Sequence, residues 1–278
     1  MLHKRINECK IISNFLQITG NFVPCGLYGS NFPKMNRQSR VFILLLIFFI
    51  IVSAVKGQTG LGLNAGYINP FPILNYNSTS YVSGSADYNG SFFVAATCRK
   101  KSGGKLFLGT SLHFHHYQLD YYEKNAIHIG LDENTKDINY TFNYLNLVFY
   151  PELVFGHRLT YYVNAGITAG ILLNASRSGT YTNIRMHSGG PDGHYPVYTV
   201  TELEGDARSD IKNFSAGVQV GTGLRYNISD SWDINFDLSG QYTLFPVEIE
   251  FSGSQVDLLI SVGAEYTIHR KKTNKPNQ

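Results

Sequence analysis

The sequence contains few charged residues, few cysteines and almost no tryptophan. Only 15% of its 278 residues are charged, and the formal net charge of +3 is too small to favour a nucleic-acid partner. Of the three cysteines, Cys9 and Cys25 lie near the N-terminus. Cys98 would therefore stand alone once an N-terminal leader is removed, which excludes an internal disulfide. We expect Cys98 to be a buried or lipid-facing small residue rather than a nucleophile.

The sequence also lacks an apolar run long enough for a typical membrane-spanning helix, which needs about 20 residues. The longest such run extends from Val41 to Val55, follows two arginines and ends in small residues before Gly57. A basic segment, a short apolar core and small residues at a cleavage point predict a secretory signal peptide over residues 35–57. The alternative is an uncleaved membrane anchor.

This leader divides the chain into four segments. Residues 1–34 show no clear periodicity, and we expect them to be a mis-assigned upstream extension, or disordered, with translation starting at Met35. Residues 58–269 would form the mature domain, and residues 270–278 a basic tail in the periplasm. No cysteine follows the expected cleavage point, which argues against a lipoprotein anchor.

The chain is rich instead in glycine and aromatic residues, with 27 Gly, 19 Tyr and 18 Phe, a composition that favours strands. After residue 58, apolar and polar residues alternate with a period of two, as they do in strands with two different faces. In residues 256–268 the even-numbered positions are apolar, whereas Asp257, Ser261 and Glu265 share the opposite face. The pattern predicts eight strands, at about 59–68, 88–99, 105–117, 138–155, 159–173, 214–228, 232–244 and 256–268.

The lengths and faces of these segments distinguish between classes of β protein. Most are much longer than the roughly five or six residues typical of soluble proteins, and a tilted strand crosses a bilayer in about 9 to 11 residues. An aliphatic face opposite a face of glycine and small polar residues is typical of a barrel with lipid outside. We predict an all-β fold, an eight-stranded antiparallel up-and-down transmembrane β-barrel of the outer membrane. The alternative is a soluble secreted ligand-binding β-barrel, with the reverse polarity.

The connections between the predicted strands alternate in length. Those after the second, fourth and sixth strands are short, at residues 101–104, 156–158 and 228–231. The others are predicted to be long loops, at about 69–87, 118–137, 175–211 and 246–254. Short periplasmic turns and long outer loops are characteristic of outer-membrane barrels, so both termini should face the periplasm.

Aromatic residues are concentrated near both ends of the predicted strands, as expected for the two interfaces of a membrane barrel. The set near the short turns is Phe155, Tyr161, Tyr226, Trp232 and Tyr266. The set near the long loops is Tyr67, Phe71, Tyr140, Phe214, Tyr242 and Phe245.

Several stretches resemble one family of barrels. They are Tyr144-Leu145-Asn146-Leu147, Tyr150-Pro151-Glu152, and residues 161–175, 214–224 and 259–266. Together they resemble the PorT-type outer-membrane β-barrel family of Bacteroidetes, over roughly residues 59–269. The family's namesake is associated with the secretion and maturation of exported proteins, so the resemblance implies a component of a secretion or assembly machinery as an alternative function. The shared motifs are structural and imply no catalytic residue.

Charged residues at inward-facing positions form one candidate cluster. Glu152, Arg225, Asp233, Asp237 and Glu265 all fall on the polar faces of their strands. Eight strands enclose a space just wide enough for side chains, and buried ions are costly unless they are paired. We therefore expect a structural network that fills the interior rather than catalytic carboxylates.

Three neighbouring histidines form a second candidate site. His113 and His115 share one strand face, close enough in principle to bind one metal, and His116 faces the other way. No cysteine or carboxylate neighbours them in sequence, and the nearest is Asp120. A role as interior polar residues explains them equally well, and we predict neither a metal site nor a cofactor.

A membrane-embedded hydrolase would need a nucleophile and a base near one rim of the barrel. His187, Ser188, Asp192 and His194 offer such groups, but residues 188–193 are more typical of a turn-rich loop. We predict a non-enzymatic protein with a structural, envelope or surface-interaction role through its long outer loops. Its expected partners are outer-membrane lipid and an envelope or extracellular protein, whose identity the sequence leaves open together with the oligomeric state.

Overall fold

The computed structural model describes residues 59–73, 82–128, 132–188, 194–243 and 254–268. The predicted leader, the segment before it, the basic tail and Phe245 lie outside these ranges. No helix among the described residues is long and apolar enough to cross a membrane. Within the described ranges ten strands join into one sheet. They are β1 (Thr59–Ile73), β2 (Val82–Tyr88), β3 (Phe92–Gly103), β4 (Leu106–His128), β5 (Asp132–Gly156), β6 (Leu159–Ser188), β7 (His194–Asp206), β8 (Phe214–Asn227), β9 (Trp232–Thr243) and β10 (Ser254–Ile268).

Eight of the ten strands close into a ring. Each pairs antiparallel with its neighbours in the order β1, β3, β4, β5, β6, β8, β9 and β10, and β10 pairs with β1 again. The strands follow one another around the ring in chain order. The structure therefore confirms the predicted eight-stranded antiparallel up-and-down barrel. Closure of the ring pairs the strand edges that an open sheet would expose.

Alternation along the strands places apolar side chains outside and polar ones inside. Val262 is 58% exposed, whereas its neighbour Ser261 is 5% exposed and faces the lumen. The same holds around the ring, where Ile167 and Val220 are exposed and Thr168 is buried. This polarity is the one predicted for a barrel in lipid, and it is the reverse of that of a soluble barrel.

The aromatic residues predicted for the short-turn interface all lie on the outer surface. They are Phe155, Tyr161, Tyr226, Trp232 and Tyr266. The rings of Trp232 and Tyr266 are 5.2 Å apart, and the Arg158 guanidinium lies 5.6 Å from the Tyr226 ring. These amphipathic rings form a girdle at the level of the turns.

The prediction for the opposite interface is confirmed for four residues and wrong for one. Tyr67, Phe71, Phe214 and Tyr242 are exposed on the outer surface. Tyr140 is only 5% exposed and points into the barrel. It lies an even number of residues from Glu152 on β5, so the alternation of the strand places both side chains inside.

Three of the predicted long loops are largely strand, and these predictions were wrong. Residues 69–87 contain the end of β1 and all of β2 except Tyr88, and residues 118–137 belong mostly to β4 and β5. Residues 175–211 contain the outer half of β6 and all of β7. In the outer parts of β4 and β5 the exposed positions become polar, as at Asp120 and Asp137, and apolar side chains such as Leu119 are buried inside instead. The apolar outward face therefore ends although the pairing continues. The three short turns are confirmed.

The extended strands form a sheet that projects beyond the barrel. β2 pairs with β4 over Leu119–Asn125, and β7 pairs with β6 over Ser176–Ser188. The outer parts of β4, β5 and β6 lie between them, and we call the set β2-β4-β5-β6-β7 the projecting sheet. It begins where His116 Nδ1 and Asn143 Oδ1, 2.7 Å apart, interrupt the apolar outer surface.

Candidate functional site

The charged residues predicted to face inward meet at the turn end of the lumen. Arg99 lies 3.1 Å from Glu152 Oε1 and 3.7 Å from Asp233 Oδ2, and its Nε donates to Glu265. Arg225 lies 3.4 Å from the same Glu152 oxygen and 3.8 Å from Glu265 Oε2. We call these five residues the ion cluster. They come from β3, β5, β8, β9 and β10, so the cluster bridges the lumen.

Arg99 is the residue that the sequence analysis missed. Its side chain is 9% exposed, and its guanidinium lies 5.0 Å from the Phe107 ring. The sequence did contain a signal for it. Arg99 shares the inward face of β3 with Ala95 and Thr97, so it is a single charge among small uncharged residues. Asp237, which was predicted with the cluster, instead accepts hydrogen bonds from Tyr162 and from Asn64 and Asn235.

A cavity of about 770 Å³ lies between the ion cluster and the turns. Residues of the turn between β8 and β9, including Ser229 and Asp230, line it together with Arg158 and Asn227. The cluster forms its inner wall through Arg99, Arg225, Asp233 and Glu265. The lumen is therefore accessible from the turn end only as far as the ion cluster.

The two inward histidines belong to a directed chain of hydrogen bonds. The Tyr117 hydroxyl donates to Asp257 Oδ2 at 3.0 Å and lies 3.0 Å from His115 Nδ1. Since the only hydroxyl proton of Tyr117 goes to the carboxylate, Nδ1 of His115 must donate to Tyr117. His115 Nε2 then accepts from His113 Nδ1, 3.3 Å away. We call these four residues the histidine chain.

This arrangement bears on the metal site considered above. The nitrogens by which His113 and His115 face one another are hydrogen-bonded, and both side chains are buried. Within the described ranges no three His, Cys, Asp or Glu side chains come together as a metal would require. The absence of a metal site stays a prediction. The histidine chain fills the middle of the lumen with polar groups that are hydrogen-bonded to one another.

Apolar and tyrosine side chains fill the lumen near its outer end. Tyr117, Leu119, Ile138, Tyr140, Phe142 and Tyr144 belong to one buried cluster. Ala207 and Ile211, from the segment between β7 and β8, are 0% and 1% exposed and pack into it. The Tyr144 hydroxyl donates to the Lys212 carbonyl, and Arg177 pairs with Asp210. Residues 207–213 thus fold into the mouth of the barrel.

The residues considered for hydrolysis lie at the tip of the β6–β7 hairpin. Ser188 pairs with His194 in the strand register, and the His187 ring lies 6.2 Å from the exposed Tyr195 ring. Asp192 lies outside the described residues. Cys98 is buried, as expected.

Comparison with known proteins gives distant structural similarities. Neisserial surface protein A (NspA) is 11% identical over 77% of this chain and 100% of its own, with a TM-score of 0.39. Ail of Yersinia pestis gives the same identity and coverage with a TM-score of 0.36. The outer membrane protease OmpT of Escherichia coli is 5% identical over 76% of this chain and 97% of its own, with a TM-score of 0.31. No curated protein sequence matches the chain.

The family assignment comes from the sequence itself. The family model of the outer membrane protein beta-barrel domain matches residues 56–248, which is most of the chain. That stretch contains β1 to β9, with their outward apolar faces and inward polar faces. The chain therefore belongs to the outer membrane protein beta-barrel domain family and is an outer-membrane protein.

Proposed function

We propose that this protein acts at the cell exterior, as a non-enzymatic surface-interaction protein whose working part is the projecting sheet. One observation carries the proposal. Beyond the cavity at the turn end, the lumen is filled with packed side chains. At the other end three barrel strands continue well past the apolar surface that lipid would cover, and β2 and β7 pair with them there.

The filled lumen argues against a transport role. A channel needs a continuous water-filled path, and eight strands leave little room for one. Here the ion cluster crosses the lumen at one end, and the segment 207–213 enters it at the other. Between them His115 and Tyr144 are almost completely buried. We therefore expect the purified barrel to carry no steady ion current.

The same packing argues against an enzyme inside the barrel. In the histidine chain the carboxylate of Asp257 orients His115 only through the Tyr117 hydroxyl, and His115 is 0% exposed and Asp257 is 1% exposed. A substrate would have to reach these groups through packed side chains.

A role in protein secretion or assembly is the alternative. It rests on the resemblance of residues 144–152 and 161–175 to PorT-type barrels, and the membership of Bacteroidetes rests on the same stretches. No contact among the described residues favours it over surface interaction.

Cross-linking in living cells tests the proposal. A photo-reactive phenylalanine analogue replaces Tyr198, which is 63% exposed on β7, and the matched control replaces Ile167, which is 66% exposed on the lipid-facing surface. We expect a discrete protein adduct from the first position and none from the second. Absence of any adduct from Tyr198, together with a steady current through the purified protein in planar bilayers, would contradict the proposal.

A further inference from the structure

β7 pairs with β6 along one of its two edges. Its residues pair with β6 from the pair Ser188 and His194 to the pair Ser176 and Asp206. Among the described residues no strand pairs with its other edge. A strand edge presents a row of backbone N–H and C=O groups that can pair with another chain.

The side chains along this edge are unusually apolar for a position in water. Tyr195, Val197, Tyr198 and Val200 are between 37% and 63% exposed. Natural proteins usually protect long free edges with charged residues or proline. Residues 197–201 contain neither, although Pro196 precedes them.

The opposite edge of the projecting sheet has the usual protection. β2 is only seven residues long, is rich in small polar residues and carries Asp87. Ala86 and Tyr88 pack against the buried cluster instead of facing water. The contrast singles out β7 as the edge suited to binding.

The charge on β7 is of one sign and lies at one end. Glu202, Glu204 and Asp206 are exposed and share a strand face with Tyr198 and Val200. Their cross-strand partners on β6 carry no charge, and they are Thr180, Ser178 and Ser176. Arg208 is the neighbouring cation that approaches this group, 3.7 Å from Asp206. The acidic end therefore favours a partner with basic side chains.

Strand direction argues against a second copy of this chain as the partner. β2 and β7 both run toward the membrane, because each is antiparallel to a strand that runs outward from a short turn. Two copies in one membrane have the same orientation, so their free edges could pair only in parallel. Parallel pairing is slightly less stable per residue than antiparallel pairing.

We propose that the free edge of β7 binds an extended segment of a partner protein, which adds as an antiparallel strand and carries basic residues followed by apolar ones. In this direction the N-terminal half of the segment lies beside Glu202 and Glu204, and its C-terminal half lies beside Tyr195–Val200. Backbone hydrogen bonds supply the affinity, and the two halves supply the specificity. The inference rests on the proposed function and names the class of partner.

Peptide binding to the full-length protein in lipid nanodiscs tests this directly. The probe is a fluorescent peptide, Lys-Thr-Lys-Thr-Arg-Val-Thr-Val-Tyr-Val, and the matched control is the same sequence reversed. We expect the forward peptide to bind about tenfold more tightly than the reversed one, the difference that two exposed ion pairs can supply. Alternate backbone N–H groups of a strand point to opposite edges, so only one of the two alternating sets can face β7. N-methylation of that set should abolish binding without changing any side chain.

A charge variant checks the register. Glu202→Gln with Glu204→Gln should remove most of the salt dependence of binding, whereas Asp137→Asn, an exposed acid on the central strand β5, should leave it unchanged. Circular dichroism and heat-modifiable mobility verify that each variant forms the barrel.

Four results would overturn the inference. The first two are equal affinity for the forward and reversed peptides, and binding that neither set of N-methyl groups weakens. The third is a dimer of the protein that Tyr198→Lys disrupts, and the fourth is peptide binding that appears only after residues 244–253 are shortened. The last would mean that this chain covers its own edge. A protein adduct from position 198 in cells, without peptide binding, would reject this inference and leave the proposed function standing.

Discussion

Replacing Arg99 with methionine removes the residue that holds the ion cluster together. The carboxylates of Glu152, Asp233 and Glu265 would then remain buried at one end of the lumen with Arg225 as the remaining cation of the cluster. Methionine matches the length of the arginine stem but supplies neither charge nor donor. Breaking a buried ion pair by removing one partner costs about 3–5 kcal/mol. We expect a loss of this size in the free energy of unfolding.

Tryptophan fluorescence can measure this loss without an added label. Trp232 is the single tryptophan of the sequence and is 50% exposed on the outer surface of β9, so its fluorescence reports transfer from lipid to water. Equilibrium unfolding in urea, in lipid vesicles, gives the free energy for each variant. Arg208→Met is the control, because Arg208 forms an exposed pair with Asp206 whose loss should cost only about 0–1 kcal/mol.

A second variant separates the ion pair from general packing. When Glu152→Gln is combined with Arg99→Met, the loss should be smaller than the sum of the two single losses, by about 0.5–3 kcal/mol. Additive losses would show that the two residues do not interact. An Arg99→Met barrel as stable as Arg208→Met would refute the reasoning that the cluster pairs charges across the lumen.

Three further results are expected. Gly166→Ala should slow or prevent barrel folding, measured by the heat-modifiable band, since the new Cβ would lie 2.3 Å from the Phe149 carbonyl oxygen, whereas Gly240→Ala meets no atom within 4 Å and should fold normally. Both histidines of the histidine chain should be protonated on Nδ1, and ¹⁵N spectra showing the Nε2 tautomer would contradict the hydrogen-bond order. Trp232 should be quenched more by lipids brominated near the headgroup than by lipids brominated near the chain end, and the reverse order would remove it from the girdle.

The barrel could be predicted because lipid and lumen impose different chemistry on the two faces of each strand. β9 and β10 alternate so strictly that their inward faces, and their bounds to within two residues, follow from sequence alone. β7 could not be found in this way, because Tyr195–Glu202 are all exposed and no buried face imposes a pattern. The same reason applies to the outer half of β6, which has no buried face. The outer halves of β4 and β5 were taken for loops because their apolar side chains, such as Leu119 and Ile138, are buried inside while the outward positions are polar, which is the reverse of the pattern expected in lipid.

The candidate site was predictable in its members but not in its contacts. Glu152, Arg225, Asp233 and Glu265 could be identified as inward charges from strand alternation. The contacts between them depend on closure of the ring, which brings together residues far apart in sequence. Tyr117 and Asp257 are 140 positions apart, on strands that are not neighbours in the sheet, yet they share a hydrogen bond. Alternation within one strand carries no information on such distances across the lumen.

The central claim, a closed barrel with its apolar face in lipid, is tested most directly along β10. Spin labels are placed one at a time at residues 256–268, in a background with the three cysteines replaced by serine, and the protein is reconstituted into lipid vesicles. The account predicts that accessibility to oxygen, which is concentrated in lipid, oscillates with a period of two and peaks at Leu258, Ile260 and Val262. Peaks at Leu259, Ser261 and Gly263 instead, or no oscillation at all, would contradict it.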